Sequence, residues 1–383
     1  MAHGITINEI TTGARPMAPI ATAVIGLVAT AADADAEVFP LDKPVLITDV
    51  RAAIGEAGTA GTLAKVLTTI AQQCSPILVV VRVAPGVASE GVTVEEATAI
   101  NVIGGTAGGN FTGLQALLAA EAQLGVRPRI IGAPGLDTQE VAEALATVAR
   151  QLRGMAYASC IAGGADSVAE AVLYRAEFSA RELMLIDNDF TGFAGEQIAT
   201  ALGTRARIDQ ETGFHKTLSN VAVAGATGLL FDRHFDLQSA DNDAGVLNAA
   251  NVTTIVRKSG YRFWGNRTCS DEPKFEFESA VRTGQVLQDT IAAGLMWAVD
   301  KPVTPGLIRD ILESINANFR LLASTGRLVG ASAWFDGSQN DAASLAAGRV
   351  TIDYDYTPCA PAENIILNQR ITDRFYAGIS PSR

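Results

Sequence analysis

The chain has 383 residues, 48% of them hydrophobic and 18% charged, which suits packed apolar cores and excludes general disorder. Net charge is −12, from 29 basic and 41 acidic residues, which disfavours nucleic acid as the main partner. The densest apolar run, Ile77 to Val81, is far short of the ~18 residues a membrane span needs. Met1 to Gly4 lack a leader's basic and apolar regions, so neither membrane insertion nor secretion is expected.

Charge is unevenly placed. Residues 251–383 hold 14 basic and 14 acidic side chains, whereas residues 1–250 hold 15 and 27. Of the basic residues 23 are Arg, whose planar fork suits bidentate pairing with carboxylates. Cys74, Cys160, Cys269 and Cys359 form no C-x-x-C pair and read as free thiols.

In chain order, residues 1–19 carry alternating Ile5 and Ile7, then Gly13 and prolines at 16 and 19, and read as an extended arm. Strands are expected at Ala23–Val28, Val45–Ile47 and Ile77–Val83, with a helix over Leu63–Gln73 before the last. From 112 to 187 helices and strands alternate. A helix carries Leu114, Leu117, Leu118 and Leu124, a strand covers Arg129–Gly132, and a helix runs from Asp137 to Arg153 with Asp137 as N-cap and Glu140 three residues on. A strand at Met155–Cys160, a helix at Asp166–Phe178 and a strand at Leu183–Ile186 follow, which predicts a parallel, helix-covered sheet. A helix over Leu218–Phe231 and a polar linker, Gln238–Asp243, come next. The last third carries helices over Phe277–Val299 and from Thr304-Pro305 to Leu322, then strands at Leu328–Phe335 and Val350–Tyr356. After Pro358 and Pro361 the chain becomes extended again. Ile365, Leu367, Ile371 and Phe375 share odd positions and so one face of a strand.

Catalytic patterns are absent. His3, His215 and His234 form no metal-binding pair, and no G-x-S-x-G elbow occurs. Gly104–Asn110 lacks the Lys-Ser/Thr ending of a phosphate loop and reads as a turn between domains. Asp187 and Asp189, at a strand end where an α/β enzyme places acids, read as loop and cap residues. No catalytic, cofactor-binding or metal-binding residue is assigned.

The segment from Arg257 to Thr268 interleaves basic and aromatic residues. A stacking surface for nucleic acid is one reading; an aromatic-anchored, Arg-paired structural lock fits the acidic remainder better. Trp264 is expected to be mostly buried, with Arg262 or Arg267 on a carboxylate. In the helix from Pro305, Leu307, Ile311, Ile315 and Phe319 form an apolar face. Arg309 and Arg320 lie apart on the polar face with Asp310 and Glu313, which leaves a solvated face and a gripping surface both open.

Asn248–Arg257, Gly260-Tyr261-Arg262-Phe263-Trp264-Gly265-Asn266-Arg267-Thr268, Met296–Asp300 and Pro361–Asn364 together resemble the tail-sheath family of P2-like contractile phages and R-type pyocins, over about 245–383. The N-terminal arm and Phe111–Leu118 match more loosely. The resemblance implies a mixed α/β and α+β fold of two domains. Its tube-proximal inner domain would be 20–100 with 245–360, its inserted α/β outer domain 101–244, and its strand-exchanging arms 1–19 and 361–383. It implies a structural protein without cofactor that polymerises with itself as a helix of stacked hexameric rings around a tail tube protein. Contraction would drive the tube through a host envelope. Further partners would be baseplate and tail terminator proteins, and the place the virion tail, assembled in the host cytoplasm. Two alternatives stand beside it, a cytosolic α/β small-molecule enzyme and a related baseplate protein.

Overall fold

The structure, a computed structural model, describes residues 15–378. Its organising strand is β1 (Ile25–Thr30), in which Ile25, Leu27 and Ala29 enter one core and Val28 the core on the opposite face. β2 (Pro44–Ile47), α1 (Val50–Glu56), α2 (Leu63–Gln73) and β3 (Leu78–Val83) follow. β3 repeats the alternation, with Leu78 and Val80 on the first face and Val79, Val81 and Val83 on the second. Both strands are therefore largely apolar on both faces, as central parallel strands are, with Thr30 and the buried Arg82, which donates to the Ala31 carbonyl at 2.9 Å, as the polar exceptions.

Next come α3 (Val94–Ile103) and a small hairpin of β4 (Thr106–Ala107) and β5 (Asn110–Phe111), then a 3-10 stretch that continues into α4 (Ala120–Leu124). β6 (Ile130–Gly132), α5 (Gln139–Leu152), β7 (Met155–Ser159), α6 (Val168–Arg175), β8 (Leu183–Ile186) and α7 (Glu196–Glu211) complete the unit. The six-stranded sheet has the order β2-β3-β1-β6-β7-β8 and is parallel except for β2. Leu67 and Ile70 of α2 pack with Ile198 and Leu202 of α7 on one face. Leu114 and Leu117 pack with Leu145, Val148 and Leu152 of α5 on the other.

This sheet crosses the expected domain boundary at 100/101. β1 pairs with β3 on one side and with β6 on the other, so residues 25–83 and 130–186 form one folding unit. The Gly-rich turn at 104–110 is accordingly a hairpin inside that unit and no domain joint.

Residues 212–242 contain no helix, contrary to the expectation for Leu218–Phe231. Val221 and Val223 favour extended backbone, and Gly225 takes a φ of +83° that ends helical winding. After α8 (Asp243–Ala249), β9 (Thr254–Arg257) and β10 (Tyr261–Trp264) pair antiparallel. The irregular segment runs beside β10, through Val223 N–H to the Tyr261 carbonyl at 3.0 Å and Asn220 N–H to the Phe263 carbonyl at 2.8 Å.

The C-terminal unit consists of α9 (Glu278–Gly294), α10 (Pro305–Ser324), β11 (Gly330–Trp334), α11 (Ala342–Ala346) and β12 (Asp353–Thr357). Thr304 caps α10 by accepting from Leu307 N–H, and Pro305 opens its first turn. Leu287, Ile311, Ile315, Phe319, Leu328 and Met17 form its core. α9 serves both units, since Val281 packs in the sheet core and Leu287 in the C-terminal core.

A buried ionic cluster seals the joint. Arg205 of α7 reaches Asp209 at 2.8 Å and Glu278 of α9 at 3.3 Å, and Arg282 of α9 pairs with Asp209. Tyr157 O–H and Leu218 N–H also donate to Glu278, at 2.5 and 3.1 Å. Burial alone would raise the Glu278 carboxyl, but Arg205 and Arg282 outweigh it and hold it below the usual range.

Candidate functional site

The segment singled out in the sequence forms β10 and the turn after it. The buried aromatic there is Phe263, at 0% exposure, whereas Trp264 is half-buried, correcting the expectation. Residues alternate across β10, so Phe263 takes the core face and Trp264 the other, where Phe235 meets it edge-on at 5.0 Å. Trp264 lines two grooves, of about 380 and 510 Å³, and Glu363 lines both as well. Arg262 bonds the carbonyls of Lys258 and Asn220, at 2.9 and 3.0 Å, and no carboxylate among the described residues. Arg267 pairs with Glu276 at 2.9 Å and with Glu363 at 2.8 Å. Gly260 and Gly265 take φ of +98° and +141°; a Cβ on Gly265 would meet Thr253 Oγ1 at 2.6 Å. Tyr261 packs edge-on to Phe190, and Asn266 is buried.

Glu363 marks where the chain leaves the body. Beyond it Ile365, Leu367, Ile371 and Phe375 are 75, 86, 99 and 70% exposed. Residues 358–372 have no regular structure and Arg374–Gly378 form a 3-10 turn, so the expected strand is not formed within this chain. So contiguous a run of exposed large apolar side chains is uncommon on a folded monomer. Ile5, Ile7 and His3 lie outside the described residues. Where the described chain begins, Arg15 N–H bonds Ser314 Oγ at 3.0 Å and the Arg15 guanidinium sits over Trp297.

β11 and β12 pair only with each other among the described residues, an open two-stranded sheet lying on α10. On the exposed face of α10, Arg309 and Arg320 stand three turns apart, with Glu313 and Asn316 between them in one shallow groove. Neither arginine makes an ion pair among the described residues.

The strand-end carboxylates are occupied structurally. Asp187 pairs with Arg233 at 3.0 Å, and Asp189 accepts from Gly195 and Gln197 N–H at the start of α7, at 2.7 and 2.9 Å. Burial pushes Asp189 up to about 6. Asp137 is no helix cap, since Thr138 holds that position. It is fully buried, accepts from Ser159 N–H at 2.6 Å, and burial raises it to about 7. His215 is pushed below its usual range by burial and by Arg327 and Arg205. Cys160 and Cys269 are buried and Cys74 and Cys359 half-buried, all four as free thiols. No cluster of three or more His, Cys, Asp or Glu among the described residues could hold a metal.

Sequence reasoning missed α7, whose Arg205 and Asp209 build the joint, and the bond from Arg267 to Glu363, which joins positions 96 residues apart.

Three family models match in succession: "Tail sheath protein Gp18 domain III N-terminal region" over 22–83, "Phage tail sheath protein central domain" over 109–269 and "Phage tail sheath C-terminal domain" over 270–372. The tail sheath protein of Escherichia phage P2 is 51% identical, over 99% of this chain and 98% of that protein. The major tail sheath protein of Serratia phage KSP20 is 44% identical, over 98% and 96%. The contracted sheath of the PVC extracellular contractile injection system has a similar fold, with a TM-score of 0.72 at 15% identity over 98% of this chain and 99% of that one. The contracted helical sheath of the anti-feeding prophage is similar at 0.72, with 20% identity over 96% and 98%. The chain therefore belongs to the phage tail sheath protein family.

Proposed function

We propose that this chain polymerises as a helix of stacked hexameric rings around a tail tube, and that the polymer contracts to drive the tube through a host envelope. Kinship with the P2 tail sheath protein supports the reading. The observation that carries it is the C-terminal arm, four large apolar side chains at 70–99% exposure on a chain latched to the body only as far as Glu363. Such an arm adds a strand to the open β11–β12 sheet of a neighbouring copy, and the segment before Met17, with Ile5 and Ile7, acts likewise. A heterologous contact of this kind does not close on itself and so generates a helix.

In this reading the C-terminal unit, with α10 outermost, faces the tube, and the six-stranded unit faces solvent. Arg309 and Arg320 grip tube carboxylates through exposed ion pairs, worth about 0–1 kcal/mol each, which hold yet release. Baseplate and terminator proteins cap the ends of the polymer. The protein is assembled in the host cytoplasm and resides in the virion tail, without nucleic acid, membrane insertion, cofactor or enzymatic step.

Negative-stain imaging of the purified protein tests the reading, with tubes or ring stacks expected. Discrete particles at every concentration would overturn it. The tube contact has its own test: Arg309→Glu with Arg320→Glu should lower sheath assembly on purified tubes, more at low salt than at moderate salt. Unchanged assembly at both salts rules α10 out as the gripping element.

A further inference from the structure

The two edges of the β11–β12 sheet are not equivalent. Ala333 N–H donates to Asn316 Oδ1 at 2.9 Å, and the Ala333 carbonyl accepts from Asn316 Nδ2 at 2.9 Å. One side chain on α10 thus makes the two bonds that a residue of an adjoining antiparallel strand would make. Both Ala333 groups point away from β12, so Ala333 and Tyr354 are a non-hydrogen-bonded pair. By the two-residue alternation, Ala331 and Tyr356 are another. Tyr354 and Tyr356 therefore turn their main-chain groups outward along β12, where no protein hydrogen bond meets them among the described residues.

We infer that Asn316 seals the edge of β11 and directs a strand donated by a second copy of this chain onto the edge of β12. The inference rests on the strand-adding reading above. A strand arriving at β11 must first expel the Asn316 amide, which loses two hydrogen bonds in a half-buried position. A strand arriving at β12 meets free donors and acceptors. Only an amide carries a donor and an acceptor at this spacing; Asp would lose the donor to the Ala333 carbonyl and Leu would lose both. Two forfeited hydrogen bonds correspond to a preference of about tenfold or more.

The test is disulfide trapping in assembled tubes of the full chain, with links read by mass spectrometry. Ser332 and Asp355 face each other across the two strands, so a strand beside β12 comes within disulfide reach of position 355 but not of 332. One cysteine replaces Ser332 or Asp355, and the other replaces Ile365, Ile366, Leu367 or Ile371 in turn. Links from the arm to Asp355→Cys should exceed those to Ser332→Cys about tenfold, and Asn316→Ala should bring the Ser332 links up to match. Equal or greater linking at Ser332 in the native background overturns the inference, as does a ratio that Asn316→Ala leaves unchanged. Should Asn316→Ala not fold, Asn316→Asp makes the same comparison, and the native background alone fixes the direction. Tubes that form without a link at either edge would overturn the strand-adding reading itself, and this inference with it.

Discussion

Arg267 grips Glu363 through two parallel hydrogen bonds, Nε to Oε1 at 3.0 Å and Nη2 to Oε2 at 2.8 Å, while Nη1 holds Glu276 at 2.9 Å. The fork fixes the root of the arm, two residues before Ile365, against the turn that follows β10, so the exposed part leaves the body from a set place and direction. Both side chains are about one-third exposed, which puts the pair in the range of about 0–1 kcal/mol, at its upper end because the geometry is bidentate.

Glu363→Gln should leave the monomer's melting temperature nearly unchanged and raise the concentration at which tubes form by up to about fivefold. The swapped pair, Arg267→Glu with Glu363→Arg, should recover part of that loss. Pelleting of tubes over a concentration series measures both. An assembly threshold that does not move would show that the latch does not aim the arm.

Truncation after Asn364 removes exposed apolar side chains and, among the described residues, no core residue. The shortened protein should keep its circular dichroism spectrum and melting transition yet form no tubes under the electron microscope. Normal tubes from the truncated chain would refute the arm's role.

Phe263→Ala should cost about 3–5 kcal/mol in urea unfolding, since its ring is wholly buried. Trp264→Ala should cost clearly less, because part of that ring already faces the grooves. The two midpoints, measured side by side, check the ranking.

The joint cluster is as sensitive as the aromatic core. Arg205→Ala leaves Asp209 and Glu278 buried with too little positive charge, which should cost about 3–5 kcal/mol. Chemical denaturation of the monomer is the measurement.

Asp137 predicts a pH dependence of definite sign. Its folded value, raised to about 7 from 3.8, means that the folded protein binds this proton more tightly than the unfolded chain does. The contribution is fully present below about pH 4 and is lost as pH rises through about 7. Asp189, raised to about 6, acts in the same direction. Asp137→Asn should flatten the fall in stability between pH 4 and 7 and be more stable than the native protein at pH 8. Urea midpoints across that range decide it.

Much of this fold was legible, and what was not has physical causes. Leu63–Gln73 and Leu183–Ile186 appear with the expected bounds because each carries an apolar pattern and a clear stop. α7 was hidden because its buried surface includes Gln197, Thr200, Thr204 and Arg205, polar residues that find partners only in three dimensions. α3 lacks an apolar stripe, although its Thr93–Glu96 capping box stood in the sequence. The boundary at 100/101 was misplaced because strand order in a parallel sheet is set by packing between distant segments. The arm and the Arg-rich turn were recognisable as segments. Their joining at Glu363 was not, since nothing local pairs positions 96 apart.

α9 has a mechanical consequence. Its 17 residues span about 25 Å as one unbroken rod, rooted at one end in the sheet core and at the other in the C-terminal core. Bending the subunit at this joint would drag Glu278 and Arg282 away from Arg205 and Asp209 and leave four charges stranded in the interior. A pull on the arm root is therefore carried through the whole subunit as through a stiff bracket. Any change in length of a filament built from such brackets must come from slippage between them, with the shape of each one kept.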